Sequence, residues 1–320
     1  MMKKTLRAAK KQTCIGGNLF QALLPYIGLF LLVLIFGVMT NFTSVSLRNL
    51  RLIVQQSYVL IICSIGVFFI MTMGSLDFSQ GSIIGVASIA IAFLAQCNLA
   101  LAVIVGIVIG AAIGFINGFL FVKFKVSSFI VTICTMFIFR GVCAFLTTEK
   151  PMSAPMYMYS LDQLYIFVPV VAVILGLGWF LFSGTSFGRK VKAIGAGETA
   201  AKFSGIRVAS TKIFVYTLAG ALAGFAATIN TIRVGSITAT SGTLLETNIM
   251  ISLVLGGMPV TGGSKNRFSS VVVGVLLFAV LNNGLALLQI DPNIQQLIRG
   301  VLFLAIVVAT TDRNVAIVVK

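Results

Sequence analysis

Apolar runs of about 20 residues, the length that spans roughly 30 Å of hydrocarbon, recur along nearly the whole of this chain. They fall near residues 21–40, 51–73, 80–96, 99–122, 126–147, 164–183, 211–232, 245–261, 268–288 and 294–311. Backbone amides inside a bilayer must be satisfied within their own segment, so runs of this kind are expected as helices. The spacing predicts an all-α membrane protein of about ten transmembrane helices. Composition agrees, since 58% of the 320 residues are hydrophobic and only 9% are charged. No soluble segment interrupts the series, and residues 1–320 read as a single transmembrane domain.

The formal charge of +16 would suit a nucleic-acid binder, but its distribution argues otherwise. With the N-terminus in the cytosol, ten crossings place 17 of the 23 Lys and Arg inside: five before residue 12, then Lys123, Lys125, six from Arg189 to Lys212, Lys265, Arg267, Arg313 and Lys320. Arg48, Arg51, Lys150 and Arg233 fall outside, and Arg140 and Arg299 lie within apolar sequence. That asymmetry is the positive-inside bias of a multi-pass protein with both termini cytosolic. The basic N-terminus precedes an apolar run too long for a signal peptide and is expected to remain as an anchor.

Two nine-residue stretches, Gly74-Ser75-Leu76-Asp77-Phe78-Ser79-Gln80-Gly81-Ser82 and Gly235-Ser236-Ile237-Thr238-Ala239-Thr240-Ser241-Gly242-Thr243, start 161 positions apart and each breaks an apolar region. Polar, glycine-broken backbone at membrane depth is tolerated only where protein or water satisfies it, and matched breaks in two halves point to a transport site. Two halves of five helices each, about 21–147 and 164–311, enter the membrane in opposite senses, so the repeat is expected to be inverted.

Asp77 is the first acid in the sequence and sits inside the first break. A carboxylate there is costly unless paired, hydrated or working. It reads either as an acceptor near a substrate path or as a cap for the following helix. Phe78 and Ser79 beside it, and Thr238 and Thr240 in the second break, belong to the same candidate path. Arg140 needs a compensating partner and is expected to face the interior, lining the path or bonding helix ends, whereas Arg299 is placed to snorkel outward. Asn282 and Asn283 serve as interhelical glue or polar lining. Thr243-x-x-Glu246 has capping-box spacing, so Glu246 is read as a cap.

Gly106, Gly110, Gly114 and Gly118 recur every four residues and Gly220 and Gly224 repeat that interval, a stripe that lets helices approach closely in lipid. Between residues 184 and 212 lies the longest cytosolic connection, with Gly188, Arg189 and then Glu198, Ala200, Ala201, Phe203 and Gly205 around a short segment of helical composition. Such a stub needs tertiary or partner contacts to persist and is either a docking helix or a solvated loop. The chain has no histidine and seven acids, which excludes a zinc site or catalytic triad in one copy. Its five cysteines show no metal-ligand spacing. Gly262-Gly263-Ser264-Lys265 lacks the ending of a phosphate-binding loop, so no ATP site is expected here.

At these residues the chain resembles the permease subunits of ATP-binding cassette importers for ribose, xylose, galactose and similar monosaccharides. The likeness is carried by Gly74–Ser82, by Phe139-Arg140-Gly141, by Phe187-Gly188-Arg189 through Ser204-Gly205-Ile206, and by Leu255-Gly256-Gly257, Gly262-Gly263 and Leu281-Asn282-Asn283-Gly284-Leu285. Ser75, Gln80, Gly197 and Met258-Pro259 depart from the pattern. The resemblance implies import of a small neutral hydroxylated solute by alternating access through the cytoplasmic membrane of a bacterium. It further implies a second permease copy or paralogue, ATPase subunits carrying ATP and Mg²⁺ that press on the Glu198–Ser204 segment, and an extracytoplasmic substrate-binding protein. Related carriers of nucleosides or signalling sugars, a proton-coupled transporter using Asp77, and a membrane scaffold are the alternatives.

Overall fold

The structure, a computed structural model, describes residues 23–310. The terminal charges that help orient the chain, from the basic N-terminus to Arg313 and Lys320, and the N-terminal Cys14, lie outside the described residues. Among the described residues, six helices are long and apolar enough to cross a membrane: α2 (Leu47–Thr72), α4 (Leu99–Phe124), α5 (Ser128–Leu146), α7 (Leu164–Ser183), α10 (Val208–Val234) and α12 (Ser269–Leu287). Shorter apolar helices complete the series: α1 (Leu23–Met39), α3 (Gln80–Leu94), α11 (Leu245–Leu255) and α13 (Pro292–Thr310). Three small helices occupy connections, α6 (Met156–Tyr159), α8 (Ser186–Ala196) and α9 (Glu198–Phe203). The protein is thus an all-α membrane protein.

Local chemistry sets the ends of these helices. Asn98 caps α4 by accepting from the Ala100 and Leu101 amides at 2.9 and 3.2 Å. The eighth apolar run stops at Leu255, six residues short of its expected end, because Gly256, Gly257 at φ 87° and Pro259 turn the chain there.

α2, α10 and α12 are mostly buried, whereas α4, α5 and α7 turn most of their surface outward. Large apolar side chains such as Phe30, Phe137, Phe145, Val173 and Phe180 are exposed on the outer helices, as a hydrocarbon solvent requires. α2 touches α10, α11 and α12, while α10 touches α2, α3 and α4. Likewise α3 packs on α4 and α5, and α11 packs on α12 and α13. α4 and α10 approach each other closely along a row of glycines. A methyl group added at Gly110 would strike the Gly220 carbonyl, one at Gly224 would strike that of Gly106, one at Gly114 would strike that of Tyr216, and one at Gly118 would lie 2.9 Å from Ile213 Cα. With no hydrophobic drive between helices in lipid, such close backbone contact supplies the association energy.

Candidate functional site at the junction of the two breaks

The first break leaves α2 through Gly74, at φ 76°, and reaches α3 without regular hydrogen bonding of its own. Its backbone groups are instead satisfied from two other helices. Ser128 Oγ of α5 accepts from the Leu76 amide and Thr132 Oγ1 from the Phe78 amide, both at 3.1 Å. Tyr216 of α10 donates its hydroxyl to the Leu76 carbonyl at 2.9 Å. This is the internal satisfaction that irregular backbone at membrane depth requires.

Asp77 lies inside this cage and is 2% exposed. Its Oδ1 accepts from the Ser79 amide at 2.8 Å and from Ser79 Oγ at 2.6 Å, while Oδ2 accepts from Gln80 Nε2 at 2.6 Å. Asn117 Nδ2 of α4 donates to Ser79 Oγ at 2.8 Å, which extends the network into a neighbouring helix. Asp77 therefore seals the foot of α3, binding the amide of the N-cap residue Ser79 itself. Phe78 points beside it, with its ring edge-on to Phe129 at 5.3 Å between centroids.

The second break is built differently. β2 (Ser236–Ile237) pairs antiparallel with β1 (Met152–Ser153), in the register Met152 with Ile237 and Ser153 with Ser236. The Ala154 amide adds a bond to the Gly235 carbonyl at 2.8 Å. Thr238 donates its amide to Ser241 Oγ at 2.9 Å, and its hydroxyl lies 3.1 Å from that of Thr240. Thr238 is half-buried and Thr240 is exposed.

The two breaks meet. A side chain at Gly81 would collide with the Gly242 carbonyl and with Glu246 Oε2, and one at Gly242 would collide with the Gly81 carbonyl. Gly85 lies one turn further on; a Cβ there would be 2.9 Å from Cys143 Sγ and 3.1 Å from the Ser241 carbonyl. Only side-chain-free residues let the start of α3 approach the second break so closely.

Beside this contact Arg140 of α5 forms an ion pair with Glu246 of α11. Glu246 is 4% exposed, and its Oε2 has no hydrogen-bond partner among the described residues. The capping-box expectation for Glu246 is corrected here. The residue preceding α11 is Leu244, at φ 66°, which carries no side-chain cap, and the carboxylate turns to Arg140 instead. A buried carboxylate gains more from a guanidinium than from one more amide. Gln80 Oε1 and Asn117 Oδ1 are also buried acceptors without a donor among the described residues.

The remaining candidates are spread more widely. Asn283 of α12 exchanges two bonds with Asn49 of α2, at 2.7 and 3.0 Å, away from the breaks, and Asn282 beside it is half-buried. Arg299 does not snorkel: its Nη1 reaches Asn248 Oδ1 at 3.4 Å, and its guanidinium carbon lies 5.9 Å from the centre of the Phe278 ring. In the 184–212 connection, α8 begins with Gly188 buried against the Phe182 carbonyl and Arg189 exposed. Glu198 pairs with Lys212 at 2.7 Å, Ala201 is buried beneath α9, and Ala200, Phe203 and Gly205 are exposed. Phe203 is 88% exposed at the tip of that helix.

Sequence reasoning missed Asn117, Ser128, Thr132 and the partnership of Glu246. One signal was present, because Arg140 and Glu246 are opposite charges in separate apolar runs and each required compensation.

A polytopic helical protein whose two irregular segments converge inside the bundle has the anatomy of a membrane transporter. Residues 49–307 match the family described as branched-chain amino acid transport system / permease component, and the chain belongs to that family. It is 33% identical to the ribose import permease protein RbsC of Bacillus subtilis, over 98% of this chain and 100% of that one. It is 31% identical to the D-allose transport system permease protein AlsC of Escherichia coli, over 87% and 88% of the two chains. The galactose/methyl galactoside import permease protein MglC of Salmonella typhimurium is 32% identical, over 81% and 84%. No solved structure matches the chain.

Proposed function

We propose that this chain is the membrane-spanning permease subunit of an ATP-binding cassette importer that admits a monosaccharide, or a similar neutral hydroxylated solute, by alternating access. The observation that carries the choice of solute is that the charges around the junction are already engaged. Asp77 spends both oxygens on Ser79 and Gln80, and Arg140 is paired with Glu246. A zwitterion such as a branched-chain amino acid needs free charges of both signs, whereas a sugar needs hydrogen-bonding atoms. Gln80 Oε1, Asn117 Oδ1 and Glu246 Oε2 are three acceptors of the kind that sugar hydroxyls bond. The names of the ribose, allose and galactose relatives point the same way.

In this reading ten segments cross the membrane, the termini are cytosolic, and residues of about 21–147 and 164–311 form two inverted halves. The contact pattern supports the repeat: exchanging α2 with α10, α3 with α11, α4 with α12 and α5 with α13 maps the contacts described above onto one another. The path runs along Asp77, Phe78, Ser79, Arg140, Thr238 and Thr240, with Asn282 and Asn283 holding α12 to the N-terminal end of α2. ATP and Mg²⁺ belong to partner ATPase subunits that bear on Gly188, Arg189, Glu198, Ala200, Ala201, Phe203 and Gly205. The exposed Phe203, on a helix held from beneath by Ala201 and by the Glu198–Lys212 pair, is shaped to enter a pocket on such a partner. A second permease and an extracytoplasmic binding protein complete the complex in a bacterial cytoplasmic membrane.

The test is reconstitution in proteoliposomes with the co-purifying ATPase and binding protein. Ribose, allose or galactose should stimulate ATP hydrolysis and accumulate inside, and leucine should do neither. Stimulation by leucine alone would refute the solute class, and uptake by the isolated chain under a pH gradient would refute the ATP-driven mechanism.

A further inference from the structure

A groove of about 640 Å³ opens between the C-terminal half of α7, helix α8 and the connection from α11 to α12. None of the site residues discussed above lines it. Its mouth carries two cations, Lys192 and Arg267, with the polar side chains of Ser183 and Asn266 beside them, and no acidic residue contributes to the lining. Lys192 is held in place, with its Nζ 4.0 Å from the centre of the Phe182 ring. Phe182 is itself buried and packs edge-on against Phe68 at 4.7 Å. Arg267 is exposed and forms no ion pair among the described residues.

The other end of the groove is apolar, walled by Leu175 and Val272. Trp179, the only tryptophan in the chain, stands at its edge and is 58% exposed. It shares α7 with Val173, Leu177 and Phe180, all more than half exposed, so the groove continues onto a face that only hydrocarbon can solvate. Tryptophan concentrates at the level of lipid headgroups, where its ring is amphipathic. Cations at the mouth, an interfacial tryptophan at the rim and aliphatic walls beyond follow the order of phosphate, glycerol and acyl chain in a phospholipid.

We propose that this groove binds the headgroup of an anionic phospholipid, with its phosphate between Lys192 and Arg267 and an acyl chain along Leu175 and Val272. A zwitterionic lipid fits less well, because its choline or ethanolamine cation would face Lys192 and Arg267 with no carboxylate at hand. The proposal does not depend on what the protein transports.

Gly176 provides a clean probe. It lines the groove, and a Cβ added there meets nothing within 4 Å, so Gly176→Leu fills the space without pressing on the fold. The experiment is native mass spectrometry of the detergent-purified full chain mixed with phosphatidylglycerol or phosphatidylcholine of the same acyl composition, with glycerol 3-phosphate as a competitor. Phosphatidylglycerol should be retained in preference to phosphatidylcholine. Lys192→Gln and Arg267→Gln should each cut its retention about fivefold, and Gly176→Leu should abolish it with an unchanged melting temperature. Excess glycerol 3-phosphate should not displace the lipid. Equal retention of the two lipids, or a preference that survives in Arg267→Gln and Gly176→Leu, would overturn the proposal. Displacement by glycerol 3-phosphate would assign the groove to free phosphate esters and overturn it equally.

Discussion

The two breaks share glycine spacing and interrupt apolar sequence in the same way, yet one is closed and the other open. Around Asp77 the chain gathers donors from its own next turn, α5 and α10 satisfy the backbone on either side, and Asn117 of α4 bonds the Ser79 hydroxyl. Around Thr238 the backbone leans on a two-residue strand pair, and the hydroxyls bond to one another near the surface. The difference follows from charge. A carboxylate inside a membrane protein must be wrapped completely, and wrapping makes the segment rigid. Hydroxyls tolerate partial satisfaction, so the second break is wrapped less completely. This contrast suggests a fixed wall and a movable one, meeting at Gly81 and Gly242.

Removing the carboxylate should break the contrast most strongly. Asp77→Ala leaves Ser79 and Gln80 donors buried without an acceptor, and should cost about 4 kcal/mol of stability. Thermal unfolding in detergent, together with loss of uptake, checks it. Arg140→Gln strands the Glu246 carboxylate and should cost about 3 kcal/mol, with Arg140→Gln/Glu246→Gln recovering most of the loss. A double-mutant cycle that showed simple additivity would remove the pair from the account. Gly81→Ala pushes a methyl group into the Gly242 carbonyl and should cost about 2 kcal/mol, read from the same unfolding curves. Thr238→Ala should change stability by only about 0.5 kcal/mol, so a loss as large as that of Asp77→Ala would erase the distinction between the walls. Phe203→Asp, far from both breaks, should also leave stability within about 0.5 kcal/mol while separating ATP hydrolysis from solute uptake.

Much of the fold is legible from run length alone, because roughly 20 apolar residues have one economical structure in a bilayer. Asp77 and the breaks were visible for the same reason: polar, glycine-broken sequence is conspicuous against that background. The distant groups that hold the break were not. Asn117 bonds Ser79 from 38 positions away and Tyr216 binds the carbonyl of Leu76 from 140 positions away, distances over which no local pattern operates. The Thr243-x-x-Glu246 spacing misled for a related reason. Capping requires a particular backbone turn as well as the right residues, and the left-handed Leu244 replaces that turn. Arg140 and Glu246, 106 positions apart, were joined by burial rather than by spacing.

In the proposed mechanism, solute passes where the two breaks meet, and they must separate for it to do so. Cys143 of α5 and the Ser241 carbonyl of the second break both lie against Gly85, beside this junction. A chain carrying Ser241→Cys, with the other cysteines replaced by serine, can be bridged to Cys143 with a short, reducible bifunctional thiol reagent. Sugar uptake is then measured in proteoliposomes containing the whole complex. Bridging should stop uptake and reduction should restore it; uptake by the bridged protein at the unbridged rate would contradict the claim.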